Sequence, residues 1–280
     1  MTRVIRIGHS PDSDDAFMFF ALAEDKLDTG ALRYVHELAD IETLNQRALL
    51  GELEVSAVSI HAYAWLADRY ALLGSGASMG DGYGPRLVAQ RAAPADPRSA
   101  LAGLRVAVPG LRTSAYLALK LYQPDLVPVV VPFDQVGPAV RDGRADVALV
   151  IHEGQLTYQA DGFALWQDLG AWWQEETGLP LPLGGNVVRR DLGEPLMRQI
   201  ARDLRASIEY GLAHRAPALA HASRYNRGIS EEQTDRFVGM YVNAWTVDYG
   251  EAGRHAVRLL LERGHRAGII PHRVQVEFVG

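Results

Sequence analysis

His152 and Glu153 directly follow a short apolar run, residues 147–151. Apolar runs of this length, bounded by turn residues, are typical of buried strands in a parallel sheet. Ligands of open α/β sheets bind beyond the carboxyl ends of such strands, so this imidazole stands where a site would form. With an ordinary pKa of about 6.5, it can accept a proton at cellular pH. The alternative is a histidine that only caps the strand and binds a neighbouring loop.

Thr113 and Ser114 stand where an apolar helix is predicted to begin. The first N–H groups of a helix have no partner within it, and the helix dipole favours negative charge there. Together with two hydroxyl groups, this arrangement suits a carboxylate. The alternative is that both residues only cap the helix. His61, near another predicted helix start, is a second candidate base, although its protonated form is disfavoured there.

The loop after the first predicted strand carries three aspartates, Asp12, Asp14 and Asp15. They lack the loop pattern, with its glycine and terminal glutamate, that calcium requires, so we interpret them as helix-capping residues. His9, His61 and His152 do not have the spacing of zinc ligands. Neither a dinucleotide-binding glycine pattern nor a phosphate loop occurs. These residues therefore do not indicate a calcium, zinc or nucleotide site.

Composition excludes several classes of partner. The 280 residues carry a formal net charge of −6 without a basic stripe, so we expect no nucleic acid and no membrane partner. The absence of cysteine excludes disulfides, thiolate metal sites and a cysteine nucleophile. The N-terminus begins with Met and lacks the apolar core of a signal peptide, and no run is long enough to span a membrane. A cytoplasmic protein is expected, and a homo-oligomer is left open.

The pattern of the first 60 residues recurs further along the chain. The corresponding segments are 5–9 with 104–108, 10–14 with 109–113, and 51–55 with 143–147. This register brings His152 to the position of Ile60, beside Ser59. Because strand, loop, helix, strand, helix and strand recur in the same order, the sequence predicts two similar α/β lobes. Helical apolar spacing after residue 196 predicts that the chain ends in helices.

Residues 87–90 and 186–190 are expected to be the two strands that cross between the lobes. Residues 1–90 and 190–280 would form the larger first lobe, and residues 91–189 the second. This is the bilobal α/β architecture of type II periplasmic binding proteins, in which the lobes form a cleft and close by a hinge motion. The strand ends that would face this cleft carry Ser10, Asp14, Ser59 and His61 in the first lobe, and Thr113, Ser114, His152 and Glu153 in the second.

Several blocks of residues form a recognisable pattern. They are residues 8–17, 40–45, 83–85, 104–110, 150–153, 168–173, 176–184 and 241–244. With these blocks, the sequence resembles the 1,4-dihydroxy-6-naphthoate synthases of the futalosine route to menaquinone over essentially the whole chain. The Ile-His-Glu block and the block from Trp172 to Gly184 are specific. The first loop departs from the Ser-Pro-Cys-Pro-Asn-Asp-Thr-Phe form of some members.

The resemblance implies a lyase without metal or organic cofactor. Its substrate would be a small carboxylate, cyclic dehypoxanthinyl futalosine. The family's catalytic histidine falls on His152. Its substrate-binding positions fall on Ala57, Val58 and Ser59 in the first lobe and on Thr113 and Ser114 in the second. Ser10 and Asp14, on the facing loop, are secondary candidates.

Two other functions are compatible with the same fold. One is the chorismate dehydratase that acts earlier in the same route, although its first loop looks different. The other is a non-enzymatic receptor for a small carboxylate, which would normally carry an export signal. Trp172 and Trp173 could form a flat wall for an aromatic ligand, or they could pack into the core.

Overall fold

The computed structural model describes residues 2–225 and 229–280. The strands are β1 Arg3–His9, β2 Leu32–Leu38, β3 Val55–Ser59, β4 Tyr70–Leu73, β5 Ser78–Gly80, β6 Arg86–Ala89, β7 Arg105–Val108, β8 Val127–Val130, β9 Val147–Val150, β10 Ala164–Asp168, β11 Leu181–Arg189 and β12 Phe278–Val279. The α-helices are α1 Ser13–Met18, α2 Phe20–Ala23, α3 Ile41–Leu50, α4 Ile60–Tyr63, α5 Pro97–Ala100, α6 Ser114–Tyr122, α7 Val136–Arg141, α8 Gly154–Thr157, α9 Leu169–Thr177, α10 Glu194–Ala213, α11 Arg215–Ala222, α12 Glu231–Tyr241, α13 Ala244–Val247 and α14 Gly250–Arg266.

The strands form two sheets with the same internal order. The first sheet runs β12-β4-β11-β3-β1-β2, with β5 beside β11, and the second runs β10-β6-β9-β7-β8. In each sheet three neighbouring strands are parallel, β2-β1-β3 and β8-β7-β9, and the next strand, β11 or β6, is antiparallel to them. β7 therefore occupies the place of β1, as the recurring sequence pattern predicts. The bilobal α/β prediction is confirmed.

The strands expected to cross between the lobes lie inside the sheets. β6 pairs with β9 and β10 of the second sheet, and β11 pairs with β3, β4 and β5 of the first. The chain therefore passes between the sheets at residues 81–85 and 178–180. We propose these segments as the lobe limits, in place of the boundaries expected near residues 90 and 190. An apolar strand pattern does not reveal which sheet the strand joins, because pairing is decided by distant partners.

Capping residues set where the helices beside the cleft begin and end. The Asp40 side chain accepts a hydrogen bond from the Thr43 N–H at 3.0 Å, and Gly51 ends α3 with φ 73°. Thr113 caps α6 by accepting from the Tyr116 N–H at 3.1 Å. The segment after the first loop forms two short helices, α1 and α2, with Phe19 between them. None of the helices in the described ranges is long and apolar enough to cross a bilayer.

The largest cluster of buried apolar side chains joins the two sheets. It includes Leu72 of β4, Leu149 of β9 and the fully buried Trp173 of α9. The Trp173 indole N–H donates to the Pro180 carbonyl at 3.1 Å. Burial of such side chains contributes about 1.5–3 kcal/mol each, so this cluster stabilises the contact between the lobes as well as each sheet.

Gly170 of α9 packs closely against residues 81–85, the segment that passes between the sheets. A Cβ atom at Gly170 would lie 1.9 Å from the Tyr83 carbonyl oxygen and 2.6 Å from the Gly84 nitrogen, and these backbone atoms cannot rotate away. Gly170→Ala should therefore lower the free energy of unfolding by about 2–3 kcal/mol or more, measured by urea denaturation.

Gly137→Ala in α7 is the matched control, because its nearest side-chain neighbour would be at 3.6 Å, an ordinary contact. It should match or slightly exceed wild-type stability, since alanine is the better helix former. Equal stability of both variants would contradict the close packing of the crossing segment.

Candidate functional site

A cavity of about 110 Å³ lies between the lobes, at the carboxyl ends of β1, β3 and β9 and at the start of α6. All eight predicted site residues line it: Ser10, Asp14, Ala57, Val58, Ser59, Thr113, Ser114 and His152. The further polar lining residues are Asp12, Asp15, Ser78, Gln155, Asn186 and Tyr241. Strand ends from both sheets thus converge on one cavity, the position at which open α/β sheets bind their ligands.

His152 follows β9 and is held in an unusual conformation. Its φ is 53°, in the left-handed region that residues other than glycine seldom adopt. Its Nδ1 lies 3.0 Å from Oδ2 of Asp12 on the other lobe, and its ring meets the Phe133 ring edge-on at 4.8 Å. The side chain is 20% exposed. Strained backbone of this kind is retained where surrounding contacts fix a functional side chain.

The carboxyl groups around His152 decide its protonation. Burial by itself lowers the pKa of His152, but the charge and hydrogen bond of Asp12, with the charges of Glu153 and Asp14, raise it to about 9. Burial and the charges of Asp15 and Asp12 raise the pKa of Asp14 well above its usual range. Burial likewise raises the pKa of Asp15 to about 7, although the Ser10 N–H opposes this. The site therefore favours the imidazolium form of His152 at neutral pH, and burial opposes the ionisation of Asp14.

Asp12 occupies the position before α1, but its side chain does not cap the helix. Instead, Oδ2 accepts hydrogen bonds from the Ser10 hydroxyl and from His152. The interpretation of Asp12 as a capping residue is therefore wrong. Asp15 accepts from the Ser10 N–H at 2.7 Å, so it fixes the loop rather than the helix end. The Asp12 carboxylate thus binds an imidazolium, a charged donor that forms a stronger hydrogen bond than a helix N–H.

Ser59 is oriented by a residue that sequence reasoning did not single out. The Asn45 amide accepts from the Ser59 N–H at 2.9 Å and donates to the Ser59 hydroxyl at 3.2 Å. Asn45 is completely buried. It lies on α3, 14 residues before Ser59, and an asparagine in a predicted helix carries no signal of this contact.

The two residues at the start of α6 are already hydrogen-bonded. The Thr113 hydroxyl donates to the Gly110 carbonyl at 3.0 Å and caps the helix. The Ser114 hydroxyl accepts from the His61 N–H at 3.1 Å and donates to the Leu183 carbonyl at 2.5 Å. Ser114 therefore joins the second lobe to two elements of the first. Its hydroxyl therefore connects the two lobes, and Thr113, Ser114 and Ala115 line the cavity at the start of α6.

His61 is placed away from this chemistry. It is absent from the cavity lining of the described chain, and its Nδ1 lies 3.3 Å from the Thr113 carbonyl. Burial lowers its pKa to about 4, so it stays neutral. Trp172 and Trp173 are also absent from that lining and pack into the core, the second of the two arrangements considered for them. Among the described residues, no group of three His, Asp or Glu has the arrangement of a metal site.

Comparison with known proteins identifies the family. The model of a family described as menaquinone biosynthesis matches residues 5–266. A 1,4-dihydroxy-6-naphthoate synthase of Thermus thermophilus is 43% identical over 265 residues, and one of Streptomyces coelicolor is 40% identical over 277 residues. Each match covers 95% of both chains. The chain belongs to this synthase family. It is therefore an enzyme of menaquinone biosynthesis.

Solved structures agree with this family and with the fold. Protein AF1704 of Archaeoglobus fulgidus is 44% identical and superimposes with a TM-score of 0.90, over 95% of this chain and 98% of that one. The alkanesulfonate-binding protein of Xanthomonas axonopodis is only 13% identical, with a TM-score of 0.71 over 99% and 97% of the two chains. The second likeness shows that the synthase has the bilobal fold of periplasmic binding proteins.

Replacing Asp14 by Asn tests whether the pKa of Asp14 is raised in the folded protein. A buried carboxyl whose folded pKa is raised contributes most to stability below its unfolded pKa, about 3.9, and this contribution is lost as pH rises towards the folded pKa. Asp14→Asn removes the group that resists ionisation. The melting temperature should therefore exceed that of wild type by a few degrees at pH 8, and the gain should vanish near pH 4. A gain that is independent of pH would contradict the raised pKa.

Proposed function

We propose that the chain is a lyase that converts cyclic dehypoxanthinyl futalosine into 1,4-dihydroxy-6-naphthoate, with His152 as the general base. One observation carries this proposal: His152 lines the enclosed cavity between the lobes, with its Nδ1 bound to Asp12. That contact leaves Nε2 as the ring nitrogen that can take a proton from a ligand. A cytoplasmic location stays a prediction from the sequence.

The substrate carboxylate would bind opposite the base. The first turn of α6 presents N–H groups beside Thr113 and Ser114, at the positive end of the helix dipole. Ser59, held by Asn45, presents its hydroxyl from the first lobe. Ala57 and Val58 line the cavity beside Ser59, and their small apolar side chains would leave room for the substrate ring. Donors from two lobes on one carboxylate would fix the ring relative to His152.

The proposed step is redox-neutral. His152 Nε2 takes the proton of an acidic ring C–H bond, and the electron pair of that bond forms a ring double bond. The bond to the sugar-derived fragment then breaks, and the fragment leaves with the electron pair of this broken bond and takes up a proton. Aromatisation of the ring drives the step, while the closed lobes exclude water and hold the base in line.

The raised pKa of His152 makes its neutral form a strong base, but little of that form is present at neutral pH. With a pKa of about 9, roughly one per cent of His152 is neutral at pH 7. Because only the neutral imidazole accepts a proton, kcat/KM should rise about tenfold per pH unit up to about pH 9 and then level.

His152→Asn tests the base directly. The variant should lower kcat by roughly 10³-fold, since it removes general-base catalysis. Naphthoate absorbance, followed with purified protein and cyclic dehypoxanthinyl futalosine, measures turnover. Circular dichroism and thermal melting check that the variant is folded. Near-wild-type turnover by a folded variant would exclude His152 as the base.

The same assay separates the other functions that suit this fold. Product from chorismate, with none from the futalosine derivative, would identify a dehydratase. Tight binding of a carboxylate with no product from either compound would identify a receptor. Wild-type protein is expected to act on the futalosine derivative alone.

Ser59→Ala tests the carboxylate site. The loss of one hydrogen bond to a charged group should raise KM by about tenfold with a smaller effect on kcat. Ser56→Ala is the matched control, because Ser56 lies on the same strand, is also buried and donates to the neighbouring Ala57 carbonyl at 3.0 Å. Equal KM values for the two variants would contradict a role of Ser59 in binding.

A further inference from the structure

The contact between His152 and Asp12 joins two lobes that are far apart in the sequence. Asp12 lies on the loop after β1 in the first lobe, and His152 lies on the turn after β9 in the second. Accepting the proposed role of His152 as the base, we propose that Asp12 is its positioning residue, and that the two form a dyad assembled across the lobe interface.

Asp12 is itself rigidly placed. It is 1% exposed, and its Oδ2 accepts from the Ser10 hydroxyl as well as from His152. In return, the Asp12 N–H donates to the Ser10 hydroxyl oxygen at 3.1 Å. The carboxylate therefore cannot rotate away without breaking the loop's own hydrogen bonds. A fixed acceptor of this kind selects one orientation of the imidazole.

This acceptor also selects the tautomer. A hydrogen bond of 3.0 Å from Nδ1 to a carboxylate keeps the proton on Nδ1 and leaves the lone pair on Nε2. The edge-on contact with Phe133, at an interplanar angle of 81°, holds the ring plane. A carboxylate behind the imidazole also stabilises the imidazolium that forms when Nε2 accepts a proton, as it does in hydrolase triads.

Two further hydrogen bonds from the first lobe reach the same turn. The Ser13 hydroxyl donates to Oε1 of Glu153 at 3.3 Å, and the Tyr241 hydroxyl donates to Oε1 of Gln155 at 2.8 Å. Separation of the lobes would break these bonds together with the Asp12 contact. The dyad therefore exists only in the conformation in which the cavity is closed. An open enzyme would lack the positioned base.

Several charged and titratable groups face His152, and they bear on any pH measurement. Asp12 and Asp14 face it from the first lobe, and Glu153 faces it from its own turn. The Asp12 carboxylate lies 3.0 Å from Nδ1 of the ring, within hydrogen-bond distance. Its removal should therefore affect His152 more than the removal of a charge that acts through space alone.

Asp12→Asn tests the dyad in two independent ways. In the ligand-free protein, NMR titration of His152 should give a pKa of about 9 for wild type and a value near or below about 6.5 for the variant. In the steady state, the rise of kcat/KM with pH should end at a correspondingly lower pH. The plateau kcat should fall by roughly 10²–10³-fold with little change in KM.

Tyr241→Phe is the control for lobe contact. It removes one interlobe hydrogen bond, from a residue that does not touch the imidazole, so KM should rise while the pH at which kcat/KM levels stays that of wild type. An Asp12→Asn variant whose His152 titration and pH profile match wild type would overturn the dyad. If the His152 pKa falls in this variant but wild type shows no turnover, the coupling of the two residues stands and the proposed reaction fails.

Discussion

The Asp12–His152 hydrogen bond is the contact on which the arrangement of the site depends. It brings a carboxylate of one lobe to an imidazole of the other, inside a space of about 110 Å³. Each charge would be poorly solvated in this space without its partner. Removing either side chain would therefore leave the other as an uncompensated buried charge. This hydrogen bond is thus both part of the site and one of the contacts between the lobes.

The repeated α/β unit explains why these groups meet. β1 and β7 hold the same place in their sheets, and so do β3 and β9. The strand ends of the two lobes are therefore structurally equivalent, but different residue types occupy them. The first lobe supplies an acidic loop and the hydroxyl of Ser59, and the second supplies a helix start and His152. Binding proteins share this frame at low identity, so the frame provides enclosure and the side chains provide the chemistry.

Burial in the cavity affects which of its carboxyl groups ionise, because a low dielectric disfavours charge. Asp12, Asp14 and Asp15 lie within four consecutive residues, and burial raises the pKa of both Asp14 and Asp15. The Asp12 carboxylate lies 3.0 Å from Nδ1 of His152. Removing water from such a site strengthens every remaining interaction, including those that a substrate would make.

The sequence by itself determined the elements and their order. Apolar runs located β7 and β9, Asp40 and Thr113 marked helix starts, and the recurring pattern predicted two lobes with His152 at a strand end. These signals are local, so they can be found without knowing what each segment contacts. The family blocks added the assignment of site positions, all of which line the cavity.

Only the tertiary structure decided the partners of those residues. Asp12 looks like a helix cap in the sequence, yet its carboxylate binds a residue 140 positions later. Asn45 holds Ser59, and β6 and β11 lie in sheets that their own residues do not specify. Carboxylates, amides and apolar strands accept many partners equally well. Which partner each one finds depends on where the rest of the chain places it, and no local pattern contains that information.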